Sequence, residues 1–437
     1  MRTLVLFTRD LRVHDHPALA EATRSGPEVV PLFVRDPRLE GRAPNRERFL
    51  LESLADLDRS LERVGGHLIL RRGAVVDETM AVARAARCTA VHVASDVSSY
   101  AHRRERALSD ACASDGIELR VFPANAVVEP GRVTPAARES YRVFTPYLRA
   151  WSQVPRRALA SAPDRICVPA GIALGPRPDP SAVRPRSVDL PPGGERAGRR
   201  RMHAFFGREL AGYGASRNDL AADATSRLSP YLRFGCVSAT EVSFRASATP
   251  GSQELVRQLA WRDFFLQLLD ADPSLAWGDL RPTADVDGLP AVSDVAFDAW
   301  CEGRTGLPLV DAGMRQLLRE GWMHNRARLV TASFLTRRLG VSWPAGERHF
   351  ARLLLDADPA NNAGNWQWTA GTGTDPRRTR TLNPVLQAKR YDPTGGYVRR
   401  YVHELADVEA PLLFTPWKDP VLLARTGYPE PIVPVNA

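Results

Sequence analysis

Short apolar runs alternate with helical periodicity over the first 125 residues. Residues 3–7, 29–34, 67–70, 90–94 and 117–122 read as short buried strands. Between them, Leu50, Leu54, Leu57 and Leu61 recur at i, i+4, i+7 and i+11, which marks one face of a helix. Strand and helix in alternation imply a parallel sheet covered on both sides. Residues 155–192 hold nine prolines in 38 positions, mixed with Arg, Ala, Ser and Gly, and read as a linker laid over the surface. Beyond about residue 199 the period turns helical and strand-like alternation nearly vanishes. The expected fold class is α/β plus all-α. An N-terminal doubly wound parallel α/β domain takes 1–130, an interdomain linker 131–198, and a C-terminal all-helical domain 199–437. No internal repeat is visible.

Composition narrows the function. The chain has 437 residues, 44% hydrophobic and 25% charged, which suits a globular chain and excludes a disordered or collagenous one. No apolar run reaches the ~18 residues of a membrane-spanning helix. Arg9 and Arg12 follow the first apolar run too soon for a signal peptide. The formal net charge is +9, and only Lys389 and Lys418 are lysines. Arginine grips phosphate oxygens bidentately, so an anionic partner such as nucleic acid is favoured; an arginine-rich proteome would leave the same mark. The five cysteines form no C-x-x-C pair, so neither a zinc site nor a disulfide framework is expected, and a reducing cytoplasm fits.

Neither G-x-G-x-x-G nor a Walker loop occurs in the α/β part, so a nucleotide site of those types is unsupported. Four later stretches could carry chemistry. Thr225-Ser-Arg-Leu-Ser229 sets hydroxyls and amides at a helix start, suited to an anion or to an ordinary cap. Gln258, Trp261, Arg262 and Phe265 follow i, i+3, i+4, i+7. One face then carries an amide, an indole, a guanidinium and a phenyl ring, which suits a base on an aromatic with a phosphate nearby, or a plain amphipathic helix. In Gly321-Trp-Met-His-Asn-Arg-Ala-Arg328, Asn325 and Arg328 lie at i, i+3, and His324 reads as a core histidine. Asp356, Asp358, Asn361, Asn362 and Asn365 crowd a stretch flanked by apolar residues. Buried acids need cations or donors, and Arg328 is the obvious partner; no metal site is expected.

Together these motifs resemble the DNA photolyase/cryptochrome family from end to end, most closely its class I cyclobutane-dimer photolyases. Phe7-Thr-Arg-Asp-Leu-Arg-Val-His-Asp-His-Pro17 resembles the family's first strand and turn. Tyr141-Arg-Val-Phe-Thr-Pro-Tyr147 resembles the segment leaving the α/β domain. Residues 225–229, 305–315, 321–328, 361–368 and 383–390 resemble the cofactor-domain motifs in order. The resemblance implies a U-folded, non-covalent FAD in the helical domain. By position, Tyr213, Thr225, Ser226, Arg227, Leu228 and Ser229 hold its phosphates and ribityl chain. Asp356 pairs with Arg328 beside the isoalloxazine, Asp358 bonds the ring edge, and Asn362 faces N5. The implied reaction is light-driven: excited reduced flavin gives an electron to a cyclobutane pyrimidine dimer, the ring splits, and the electron returns. The dimer must flip out of the duplex, a step for which photolyases are a standing example. Trp261 and Trp368 match the aromatic clamps, and Arg217, Arg262, Asn325 and Arg326 the polar contacts, with binding weakened by salt. His324-Asn325 stands where 6–4 repair enzymes carry paired histidines, which argues for cyclobutane dimers. UV-damaged DNA is the implied partner of a monomeric protein, without a membrane. A second antenna chromophore, deazaflavin or methenyltetrahydrofolate, is common in the family; these residues do not identify one.

Two departures stand out. Gln258 occupies the place of a family Glu that can donate a proton to the dimer; Gln keeps only an N–H donor. Trp366 and Trp343 match the inner two of three relay tryptophans. Counting back from Trp300 puts the third at Pro290, and residues 278–299 hold no tryptophan. A rerouted path would end at Trp300 or Trp277. Both departures would suit a cryptochrome-like blue-light sensor without efficient repair. Asn362, Trp261, Trp368 and Asn325 favour repair.

Overall fold

The apolar runs form five parallel strands: β1 Arg2–Phe7, β2 Glu28–Arg35, β3 Ile69–Arg72, β4 Ala90–Ala94 and β5 Glu118–Phe122. Their order is β3-β2-β1-β4-β5, and Leu4 of β1 lies opposite Val30 on one side and Val91 on the other. These central residues are buried, as expected where helices cover both faces. This computed structural model describes residues 2–136, 138–281, 294–377 and 380–434. The Leu-rich stretch is the helix Pro44–Glu62, which opens with Pro at its first position. Leu54, Leu57 and Leu61 are buried as expected, but Leu50 is only half-buried and Leu51 is the buried residue there.

The proline-rich linker runs beside the sheet. The Val29 amide donates to the Cys167 carbonyl (3.0 Å) and the Leu70 amide to the Leu174 carbonyl (2.8 Å). Backbone groups near the β3 edge thereby find partners inside the chain.

Contacts divide the described chain into two compact units. The first comprises 1–185, 192–211 and 226–273; the second comprises 186–191, 212–225 and 274–437. Sequence had suggested one helical domain from 199 onward, yet the helix Gln253–Ala271 groups with the sheet. Buried polar bonds explain this. The Leu11 amide donates to the Phe234 carbonyl (3.2 Å), and the Val13 amide to Glu195 (2.8 Å). Arg12, 1% exposed, donates to the carbonyls of Asp15, Ala124 and Gly235. Asp263 accepts from the Val127 and Val128 amides and from Trp151 Nε1, each at 3.0 Å. A switch point lies between β1 and β4, where doubly wound sheets commonly open a ligand crevice. After those strands, Arg9 bonds Asp96 (3.2 Å).

The second unit is helical. Trp300, Met314, Phe334, Phe350, Trp366 and Tyr397 share its apolar core. Among the described residues beyond 199 there is no strand, and no described helix is long and apolar enough to cross a membrane.

Candidate functional site

In the second unit, the helices Asn325–Arg337 and Pro359–Ala370 pack together; Arg328 lies on the first, and Asp356 and Asp358 lie just before the second. Arg328 binds Asp356 through both terminal nitrogens, at 3.0 and 2.8 Å. Its Nε donates to the Met323 carbonyl (2.8 Å). Asp358 caps the second helix, accepting from the Asn361 amide (2.7 Å) just before Pro359. Within the crowd of acids and amides, one acid thus meets a guanidinium and the other a helix start. Asn362 donates from Nδ2 to Glu347 Oε1 (2.7 Å). Sequence reasoning missed Glu347, because nothing local links it to a residue 15 positions on.

One turn beyond Asn362, Trp366 is buried, edge-on to Phe350 (4.9 Å) and to Trp300 (6.2 Å between ring centroids). Gly346, on the helix Trp343–Leu353, lets that indole approach; a Cβ there would lie 2.3 Å from Trp366 Cη2. Trp343 is 5% exposed and donates from Nε1 to Asp279 Oδ1 (2.7 Å). Position 290, the expected place of the third relay tryptophan, lies outside the described residues.

Arginines gather around Tyr391. The Arg326 guanidinium lies 4.8 Å from its ring centroid and that of Arg390 5.2 Å. Arg326 also donates to Asn218 Oδ1 (2.8 Å). Burial, and then the like charges of Arg217, Arg390 and Arg380, push the Arg326 pKa down. Arg380 sits 5.5 Å over the half-buried Trp368. Asn325 is exposed. His324 is a core histidine, as expected: Nδ1 accepts the Arg326 amide, and burial lowers its pKa to about 4. Tyr213 is buried and Thr225 half-buried, and Asp223 holds a positive φ of 49°.

In the first unit, Arg227 also holds φ at 49°, a conformation costly for a side chain with a Cβ and concentrated at functional turns. Ser226 gives its carbonyl to Arg201 (2.9 Å), and Leu228 is buried. Ser229 starts a helix of only six residues, Ser229–Phe234, so the turn matters here more than any helix dipole. Gln258, Trp261, Arg262 and Phe265 do share the helix Gln253–Ala271. That helix is not a plain amphipathic one, since it is buried almost all round from Asp263 to Leu269. Phe144 stacks on Trp261 at 3.7 Å with planes 7° apart. The Tyr141–Tyr147 motif contained Phe144, but nothing in sequence tied it to Trp261. Gln258 is half-buried. The Arg262 guanidinium meets the Asn125 carbonyl (2.5 Å) and Asp263 (3.6 Å), so much of its charge is already engaged.

Comparison with known proteins decides the family. Residues 3–165 match the family model "DNA photolyase", and residues 255–437 match "FAD binding domain of DNA photolyase". The chain belongs to the DNA photolyase family. A deoxyribodipyrimidine photo-lyase from Streptomyces griseus is 48% identical, over 98% of this chain and 96% of the relative. A solved bacterial class III photolyase from Agrobacterium tumefaciens superposes with a TM-score of 0.92 at 32% identity, covering 99% of this chain and 94% of that one. An archaeal photolyase from Sulfolobus tokodaii, solved with two FAD molecules, gives 0.83 at 30% identity and covers 99% and 96%. The α/β-plus-helical architecture expected from sequence is that of these photolyases. FAD is the cofactor of the matched domain, and the donor set fits it: the Arg328 guanidinium and the Asn362 amide lie on packed helices, and Asp356, in the turn before the second, pairs with Arg328.

Proposed function

We propose that this photolyase uses light to split cyclobutane pyrimidine dimers in UV-damaged DNA. Reduced FAD, when bound, supplies the light-driven electron. Arg328, Asp356, Asp358 and Asn362 hold the flavin, while Tyr213 and the 225–229 turn hold its phosphates and ribityl chain. Arg328 offsets negative charge there, and Asp356 fixes the guanidinium so that it need not reorganise during charge transfer. Asn362 is oriented by Glu347, whose carboxylate accepts the Asn362 Nδ2 hydrogen (2.7 Å). Trp261 and Trp368 stack on the flipped dimer, and Gln258 donates an N–H to it. Arg217, Asn325 and Arg326 take the flanking phosphates and polar groups. Arg262 contributes its remaining donors.

The arginine cluster around Tyr391 carries this reading. A buried guanidinium such as Arg326, with the like charges of Arg217, Arg390 and Arg380 nearby, calls for an anion, and Arg380 over Trp368 pairs a cation with an aromatic as nucleic-acid sites do. The protein works as a monomer, and its cysteines stay reduced in the cytoplasm; all five are free in the fold. Gln258 favours a second reading, a light sensor that binds DNA without splitting dimers. The test uses chemically reduced protein, an oligonucleotide with one cyclobutane dimer, blue to near-UV light, a dark control and one fixed salt concentration. Light-dependent recovery of thymine absorbance is expected. Bound FAD and bound lesion without recovery would leave the sensor reading.

A further inference from the structure

Two indoles share the apolar core with Trp366, and they differ in what their N–H groups touch. Trp300 is wholly buried beside Trp366, and its Nε1 donates to the Thr331 backbone carbonyl (3.1 Å). A buried neutral carbonyl cannot keep a proton. Trp343 lies one helical turn before Gly346, the residue that touches the Trp366 ring, so the two share a helix face. Its Nε1 donates to the Asp279 carboxylate (2.7 Å). Asp279 itself is exposed, with water at hand.

We propose that Asp279 is the proton acceptor that makes Trp343, rather than Trp300, the branch along which an oxidised tryptophan is stabilised. This rests on the photolyase reading and deepens it. The oxidant is light-excited oxidised FAD, which takes one electron from Trp366. Trp343 refills Trp366 and becomes a radical cation, in which the indole N–H is strongly acidic. The Nε1–H bond then breaks heterolytically: its electron pair stays on nitrogen, the proton forms an O–H bond on Asp279, and a neutral indole radical remains. An external thiol later returns one electron, and the proton goes back to Nε1. Before any proton moves, the carboxylate's charge already favours positive charge on Trp343 over Trp300, since a full charge at hydrogen-bond distance outweighs a carbonyl dipole. Loss of the proton then blocks the return of the electron. This role matters more in a chain with no tryptophan at 278–299.

The test is flash photolysis of the FAD-loaded, oxidised protein, following tryptophan radical absorbance. Asp279→Asn keeps an oxygen that accepts the N–H but takes no proton. It is expected to lower the yield of long-lived radical at least 3-fold and to abolish its solvent deuterium isotope effect, with flavin content unchanged. Asp279→Glu should recover much of the yield. An Asp279→Asn protein with wild-type yield and isotope effect would overturn the proposal, since a mere tether survives that change. So would a Trp343→Phe protein that keeps full radical yield, because the path would then run through Trp300. Repair by pre-reduced Asp279→Asn protein should equal that of wild type. Failure of pre-reduced wild type to repair would reject the photolyase reading, independently of the radical measurement.

Discussion

Arg328 and Asp356 meet end to end, with parallel contacts of 3.0 and 2.8 Å, and the Asp356 side chain is only 6% exposed. Removing one partner strands the other. Arg328→Ala should destabilise the protein by about 3 kcal/mol and strip it of FAD. Chemical denaturation and the flavin absorbance of the purified protein read the two effects. Arg328→Lys should retain part of the stability but less of the flavin, because an ammonium cannot make both contacts.

Phe144 supports Trp261 across a full stacked face. Phe144→Leu should keep most of the packing volume yet lose the ring, worth ~1 kcal/mol. The expected outcome is about 5-fold weaker binding of a dimer-bearing oligonucleotide, with flavin content unchanged. Titration at fixed salt checks it, and undamaged DNA serves as the reference.

The arginine cluster should appear in the salt dependence. Arg390→Gln should weaken binding to damaged and undamaged DNA alike and reduce the slope of log affinity against log salt by about 1. An unchanged slope would remove Arg390 from the DNA interface.

Gln258 replaces a proton donor by an amide, so Gln258→Glu should raise dimer splitting per absorbed photon with little change in affinity. Quantum yield with pre-reduced protein is the readout. No change would leave Gln258 a bystander in the splitting step.

Acid–base behaviour separates three buried groups. Burial raises the Glu129 pKa to about 7, with Ser95 as hydrogen-bond partner and Asp263 adding like charge. The native state then holds a proton that the unfolded chain has lost, so Glu129 erodes stability as pH rises from about 4.5 to 7. His324 and His349 behave oppositely: burial lowers both to about 4, so stability is lost as pH falls from about 6.5 to 4. Glu129→Gln should therefore stabilise the protein at pH 8 by roughly 1–3 kcal/mol and leave the acid limb intact. Denaturation curves at pH 5, 6.5 and 8 decide this.

The parts of this architecture that sequence could reveal were those set by local periodicity. The inner strands β1, β2 and β4, buried on both faces, read as apolar runs, and Leu54, Leu57 and Leu61 showed their helix directly; β5, expected to be buried, is instead an edge strand with no buried residue. Contacts made across long separations in the chain were invisible. Glu347 reaches Asn362, Asp279 reaches Trp343, and Phe144 reaches Trp261 only because helices pack, and no local pattern announces a packing partner. Arg262 shows the opposite case. Its spacing suggested a DNA contact, but spacing could not show that Asn125 and Asp263 already engage it. The need of the acid–amide crowd at 356–365 for partners is legible in sequence, because the electrostatic cost of a bare buried acid is independent of fold.

Asp263 is bonded by Val127, Val128 and Trp151, all far upstream of its own helix. A fragment beginning at residue 199 would retain that carboxylate and lose all three donors, leaving a buried anion with only the Arg262 guanidinium (3.6 Å) to offset it. The helical portion is therefore not a detachable module. Recombination or shuffling that joins it to a foreign N-terminal half must bring a matching set of donors, or the hybrid will fail at Asp263 before any photochemistry is at stake.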